Sequence, residues 1–206
     1  MSRTFVVTGT DTNVGKTVFA AALAGALGAS YWKPLQSGPD IDSERIGELS
    51  GLSLGKILPE AYRLKAALSP HRAAELEGIK LDAAKINPPI VAGPLIIEGA
   101  GGLMVPIKRE LLFIDVFARW ELPVILCART SLGTINHSLL SIEAMRARQV
   151  PILGIAFVGD ENFDNEQTIC EIGGVKRLGR LPRLDPLNAS TLRAAFSANF
   201  QLEDFA

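Results

Sequence analysis

The chain has 206 residues, 48% of them hydrophobic and 21% charged, a balance that suits one α/β domain with a sizeable core and excludes a disordered chain. Lys and Arg number 21 against 22 Asp and Glu; the resulting net charge of −1 argues against a broad nucleic-acid or membrane patch but leaves room for a local phosphate site. Cys127 and Cys170 lie far apart without metal-ligand company, and Cys127 falls in an apolar run, where it reads as a buried small hydrophobe.

The amino-terminal run Met1-Ser2-Arg3-Thr4-Phe5-Val6-Val7 moves straight into a strand, with no basic segment followed by an apolar signal core. No apolar stretch approaches the ~20 residues of a membrane span, so the cytoplasm is the expected location. Strand-sized apolar runs recur at residues 4–8, 30–33, 94–97, 123–128 and 152–158, with a weaker one at 175–178. Helical patterns cover residues 16–27, 43–49, 66–76, 82–85, 111–120, 135–147, 165–172 and 190–199, the third interrupted by Ser69-Pro70. Apolar runs buried on both faces and separated by helices predict a mostly parallel sheet covered on each side, a three-layer P-loop NTPase-like fold.

The first strand leads into Gly9-Thr10-Asp11-Thr12-Asn13-Val14-Gly15-Lys16-Thr17, which opens the first helix. Glycines let backbone N–H groups curl around phosphate oxygens, and the helix N-terminus adds partial positive charge. Lys16 would reach the β- and γ-phosphates, and the Thr17 hydroxyl would bind Mg²⁺. Five residues separate Gly9 from Gly15, one more than the common pattern.

The second strand ends in Tyr31-Trp32-Lys33-Pro34-Leu35-Gln36-Ser37-Gly38. Taken alone, Lys33 reads as a snorkelling surface lysine; beside a phosphate loop it can neutralise charge developing in phosphoryl transfer. Ser37 can donate to a substrate oxygen. In Asp42-Ser43-Glu44-Arg45, Ser43 can cap a helix while Glu44 offers a carboxylate to Mg²⁺, with Asp42 as the alternative ligand. Ser69-Pro70 is a turn entering a helix. Further on, Leu95-Ile96-Ile97-Glu98-Gly99-Ala100-Gly101-Gly102 places a carboxylate at a strand tip, costly there unless paired or metal-bound, before glycines that permit close backbone approach or simply a tight turn. Leu132-Gly133-Thr134-Ile135-Asn136-His137 begins a long helix whose free N–H groups suit an anion, and His137 reads as structural.

In this order these segments resemble the dethiobiotin synthetase family across residues 3–190, together with a late Leu178-Gly179 followed by Leu181-Pro182. The resemblance implies an ATP-dependent cyclo-ligase that joins CO₂ to 7,8-diaminononanoate as a carbamate, phosphorylates it to a carbamic-phosphoric anhydride, and closes a cyclic urea. It implies Lys16 and Lys33 as catalytic groups, and phosphate contacts from Asn13, Val14, Gly15, Lys16, Thr17 and Val18. Glu98, Gly99, Ala100, Gly101, Pro182, Arg183 and Leu184 become nucleotide contacts. Thr17, Glu44 and Glu98 become the Mg²⁺ ligands. Ser37, Gly133, Thr134 and Asn136 become substrate contacts, in a homodimer whose partners are small molecules alone.

The chain departs from that pattern where relatives carry an Asn-Asp pair for adenine, since Val158-Gly159-Asp160 holds no asparagine and only Asn162 can reach back. A partitioning NTPase switch of the ParA or MinD kind is the rival; it usually carries an extra lysine early in the loop, and Thr10-Asp11-Thr12-Asn13 contains none.

Overall fold

The computed structural model describes residues 3–206; Met1 and Ser2, which open the amino-terminal run read above, lie outside the described residues. The first half runs β1 (Thr4–Gly9), α1 (Lys16–Leu27), β2 (Ser30–Trp32), β3 (Leu35–Ser37), α2 (Asp42–Ser50), β4 (Ile57–Leu58), β5 (Tyr62–Leu64) and α3 (Pro70–Glu77). After it come β6 (Leu95–Gly102), β7 (Pro106–Lys108), β8 (Leu111–Leu112), α4 (Phe113–Trp120), β9 (Val124–Arg129) and α5 (Thr134–Ala147). The chain finishes with β10 (Ile152–Val158), α6 (Phe163–Gly173), β11 (Arg177–Leu181) and α7 (Ala189–Asn199).

Seven strands pair in the order β11-β10-β9-β1-β6-β2-β4, and each pairing is parallel. This is the three-layer, P-loop NTPase-like arrangement that the alternating pattern implied. Strand alternation divides the core in two. Phe5, Val7, Tyr31 and Ile96 pack with Phe19, Leu23, Ile46 and Phe196 from α1, α2 and α7. Val6, Trp32 and Ile97 pack on the opposite face with Phe113, Phe117, Met145 and Ile169 from α4, α5 and α6. No described helix is long and apolar enough to cross a membrane.

Several elements differ from expectation for local reasons. The helix expected over 66–76 starts at Pro70, because proline lacks an N–H and fits the first helical turn, so Ser69-Pro70 begins α3 instead of breaking it. The helix expected from 111 begins at Phe113 after the two-residue strand β8, which pairs with β7. The short helix at 82–85 is a 3-10 turn, Ala83–Ile86, with the Asp82 side chain accepting from the Ala84 N–H at 2.9 Å. β6 continues through Glu98 and its glycines to Gly102 instead of ending at Ile97.

Candidate active site

Strand register brings the site together. β2 pairs with β6 so that Trp32 lies beside Ile97, and β1 pairs with β6 so that Val7 lies beside Glu98. Lys33 follows the last paired residue of β2, and Glu98 follows Ile97 within β6, so the two lie side by side on adjacent strands, near the carboxyl end of β2 where the loop after β1 also turns. Open α/β sheets gather ligands at that edge.

Gly15 turns the loop into α1 with φ +94°, in the left-handed region that glycine tolerates, and a Cβ there would meet Val158 Cγ1 at 2.7 Å. The first residues of α1 are then Lys16 and Thr17. The Lys16 ammonium donates to the Asp11 carbonyl at 2.9 Å, folding over its own loop.

Glu98 is 1% exposed, and its carboxylate has three donors. Oε1 accepts from the Thr17 hydroxyl at 2.8 Å and from Lys33 Nζ at 3.2 Å; Oε2 accepts from the Tyr31 hydroxyl at 2.8 Å. Asp42 completes the cluster: Lys33 donates to its Oδ2, and its Oδ1 lies 3.0 Å from Thr17 Oγ1. A buried carboxylate is tolerated only when so paired and hydrogen-bonded.

The two lysines that line this site thus shift in opposite directions. Burial holds Lys16 below its usual pKa, with the Glu98 carboxylate pulling the other way. Burial would also lower Lys33, but the Glu98 and Asp42 carboxylates reverse that and leave it above its usual value. Lys33 is therefore a fixed positive charge at neutral pH. The Tyr31 hydroxyl is pushed well up, first by burial and then by Glu98, so it stays a proton donor. Burial likewise raises the Cys127 thiol, which removes it from thiolate chemistry.

A cavity of about 720 Å³ opens onto this cluster. Its walls carry Asn13, Gly15, Lys16, Thr17 and Val18 on one side, Lys33, Ser37 and Asp42 on another, and Glu98, Ala100 and Gly101 at the strand edge. Ser69 and Pro70, at the start of α3, close the far end. Ser37 Oγ is buried without a hydrogen-bond partner among the described residues, a donor held ready beside the space.

Other expected residues fall elsewhere. Glu44 is exposed on α2 and is no part of the cluster; Asp42, two residues earlier, takes the inward place expected of it. The reason is the helix frame. α2 starts at Asp42 after Ile41, and the Ser43 hydroxyl bonds Glu60 instead of capping the helix. Gly99 does not line the cavity; a Cβ there would meet Phe117 Cζ at 2.9 Å, so it serves close packing. Gly133 caps α5, Thr134 donates to the Arg129 carbonyl, and Asn136 is exposed; none of the three lines the large cavity.

Pro182, Arg183 and Leu184 follow β11 at the sheet's other edge, where the Gly159 N–H donates to the Leu181 carbonyl at 2.9 Å and Arg183 lies 3.4 Å from Asp160. Asn162 does not reach back. Its side chain accepts from the Asn165 N–H at 3.2 Å, capping α6, and donates to the Thr130 carbonyl at 3.4 Å. Gly159 cannot become the missing asparagine without rearrangement, since it stands at φ +135° and a Cβ would meet Thr130 Oγ1 at 2.6 Å.

Comparison with known proteins is consistent with this geometry. A family model described as an AAA domain matches residues 3–191. Among solved structures, a ParA family ATPase from Chlorobium tepidum TLS superposes with TM-score 0.53 at 13% identity, covering 96% of this chain and 91% of that one, a likeness of fold alone. A protein of Afipia carboxidovorans named ATP-dependent dethiobiotin synthetase BioD is 60% identical, covering 100% of this chain and 99% of the relative. One of the same name from Rhodopseudomonas palustris strain TIE-1 is 63% identical, covering 100% of this chain and 98% of the relative. Identity at that level, sustained along the whole chain, leaves one conclusion: this chain belongs to the ATP-dependent dethiobiotin synthetase family.

Proposed function

We infer that the chain makes dethiobiotin from 7,8-diaminononanoate, CO₂ and ATP, releasing ADP and phosphate. The observation that carries this reading is the buried convergence of Lys33, Thr17, Glu98 and Asp42 at the mouth of the phosphate loop, beside a cavity with a free hydroxyl at Ser37.

One amine of the substrate adds to CO₂, giving a carbamate and a proton. A carbamate oxygen then attacks the γ-phosphorus, a P–O bond forms as the bond to the bridging oxygen of ADP breaks, and ADP departs. The second amine attacks the carbonyl carbon and gives up a proton, the C–O bond to phosphate breaks, and phosphate and the proton leave as the cyclic urea closes. Phosphoryl transfer of this kind needs positioning and charge neutralisation, not a nucleophilic side chain.

Lys16 would exchange the Asp11 carbonyl for phosphate oxygens, with the N–H groups from Asn13 to Val18 around them. Lys33 lies where charge develops on the carbamate and the transferring group. Ser37 would donate to the substrate. Ala100 and Gly101, and further out Pro182, Arg183 and Leu184, would flank the nucleotide, with Gly99 supporting their strand.

Mg²⁺ fits this donor set. Thr17 Oγ1 has one proton and faces two carboxylate oxygens, at 2.8 Å on Glu98 and 3.0 Å on Asp42, so one of those contacts lacks a proton. Hard oxygen donors so arranged suit Mg²⁺, which would neutralise phosphate charge; Asp42 replaces Glu44 as the third ligand. A homodimer is part of the same reading, because Gly133, Thr134 and Asn136 open α5 away from the large cavity and can serve the substrate carboxylate of a second subunit. A cytoplasmic setting accords with two free cysteines.

The test incubates the protein with ATP, Mg²⁺, bicarbonate and the diamine and seeks the cyclic urea by mass spectrometry. ATP hydrolysis indifferent to the diamine, with no urea formed, would replace this reading with an NTPase switch.

A further inference from the structure

Tyr31 takes no place in the reaction described above, yet its hydroxyl meets the most buried carboxylate of the site. Its ring is fully buried in the core between the sheet and α1, and it does not line the cavity. The phenol donates to Glu98 Oε2 at 2.8 Å. Oε1 is left to Thr17 at 2.8 Å and Lys33 at 3.2 Å, on the side of the phosphate loop. The two oxygens of one carboxylate are thus divided between a rigid buried donor and the site.

We propose that Tyr31 is a positioning residue that makes Glu98 a one-oxygen ligand and so sets the preference of this site for Mg²⁺ over larger divalent cations. The inference rests on the reading of Thr17, Asp42 and Glu98 as a metal site. Mg²⁺ demands near-octahedral geometry with short bonds, which single oxygens satisfy, whereas Ca²⁺ takes six to eight oxygens and accepts a carboxylate through both. A phenol that occupies Oε2 denies the second mode. Groups behind a ligand tune metal affinity in this way even though they never touch the ion.

Tyr31→Phe keeps the ring and removes the hydroxyl alone. The measurement is calorimetric affinity for ADP in saturating Mg²⁺, in saturating Ca²⁺ and in EDTA, for the unmodified protein, Tyr31→Phe and Glu98→Gln. The expected result is a Mg²⁺-to-Ca²⁺ affinity ratio lowered about tenfold or more in Tyr31→Phe, with affinity in EDTA unchanged. A merely structural tyrosine would move all three affinities together or none. An unchanged ratio, with metal dependence still lost in Glu98→Gln, overturns the role of Tyr31 and leaves the metal site standing. Metal independence in the unmodified protein, or metal dependence that survives in Glu98→Gln, removes both. Should Tyr31→Phe fail to fold, infrared difference spectra of the unmodified protein against Glu98→Gln, each with Mg²⁺ and ADP, decide the matter. A wide separation of the carboxylate stretches fits one-oxygen ligation, and a narrow one overturns the proposal.

Discussion

Lys33 has two tasks at one position. In the free protein it is the cation that makes a buried Glu98 and a half-buried Asp42 tolerable; in the proposed reaction it would be a charge beside the transferring phosphoryl group. Lys33→Ala should therefore lower turnover by roughly 100-fold or more while sparing most nucleotide affinity. It should also destabilise the metal-free protein by about 3 kcal/mol, the cost of leaving a buried charge unpaired, with much of that returned by Mg²⁺. Steady-state kinetics and melts with and without Mg²⁺ check both; unchanged turnover would remove Lys33 from the mechanism. Ser37 offers the opposite balance. Its orphaned hydroxyl costs the free protein, so Ser37→Ala should raise stability by about 1 kcal/mol and raise KM for the diamine, the change a substrate-facing donor requires. Lys33, Thr17 and Glu98 were legible because their motifs name them. Tyr31 was not, since a buried aromatic in a strand reads as core until its hydroxyl is seen to reach Glu98. Asp42 and Glu44 could not be ranked from sequence, because a helix start displaced by one residue rotates every side chain by about 100°.

At the scale of elements, α1 and α2 must lie close for Asp42 to reach Thr17. Gly25 in α1 provides the closeness: a Cβ there would stand 2.5 Å from the Ser50 carbonyl oxygen at the end of α2. Two effects oppose each other in Gly25→Ala. Helix propensity favours alanine by about 1 kcal/mol, while forcing a methyl against backbone costs about 1–3 kcal/mol. The partner here is a carbonyl that no rotamer change can move, so the steric term wins. We expect net destabilisation in urea melts, together with weaker Mg²⁺ support of ADP binding because α2 carries Asp42. Added stability would show that α2 yields freely. The sheet's inner strands and the long helices were legible from apolar runs and helical spacing. β3, β4, β5, β7 and β8 have two or three residues each, too few to display a period, and the pairings of β3 with β5 and of β4 with β2 join segments more than twenty residues apart.

For the molecule as a whole, the two cores bury both faces of the sheet, yet several apolar side chains stay exposed, some of them around α5. Leu132, just before α5, is 97% exposed and Leu140, midway along it, 61%; Met104, 52% exposed, lines with Leu140 a second cavity of about 460 Å³. That surface adjoins Gly133, Thr134 and Asn136, the residues expected to hold a substrate carboxylate. A second subunit seated there would cover the leucines and carry its own α5 start toward its neighbour's large cavity, so that a complete substrate site needs both chains. Leu132→Glu combined with Leu140→Glu should then convert a dimer to a monomer in sedimentation. It should also raise KM for the diamine by about tenfold, the equivalent of about 1.4 kcal/mol, while KM for ATP stays within about twofold. The asymmetry between the two substrates is the informative part. Carboxylates placed at a mere solubility patch would change neither constant, and damage to the fold would raise both. A monomeric variant with an unaltered KM for the diamine would confine the whole substrate site to a single chain and leave the α5 start without a part in binding.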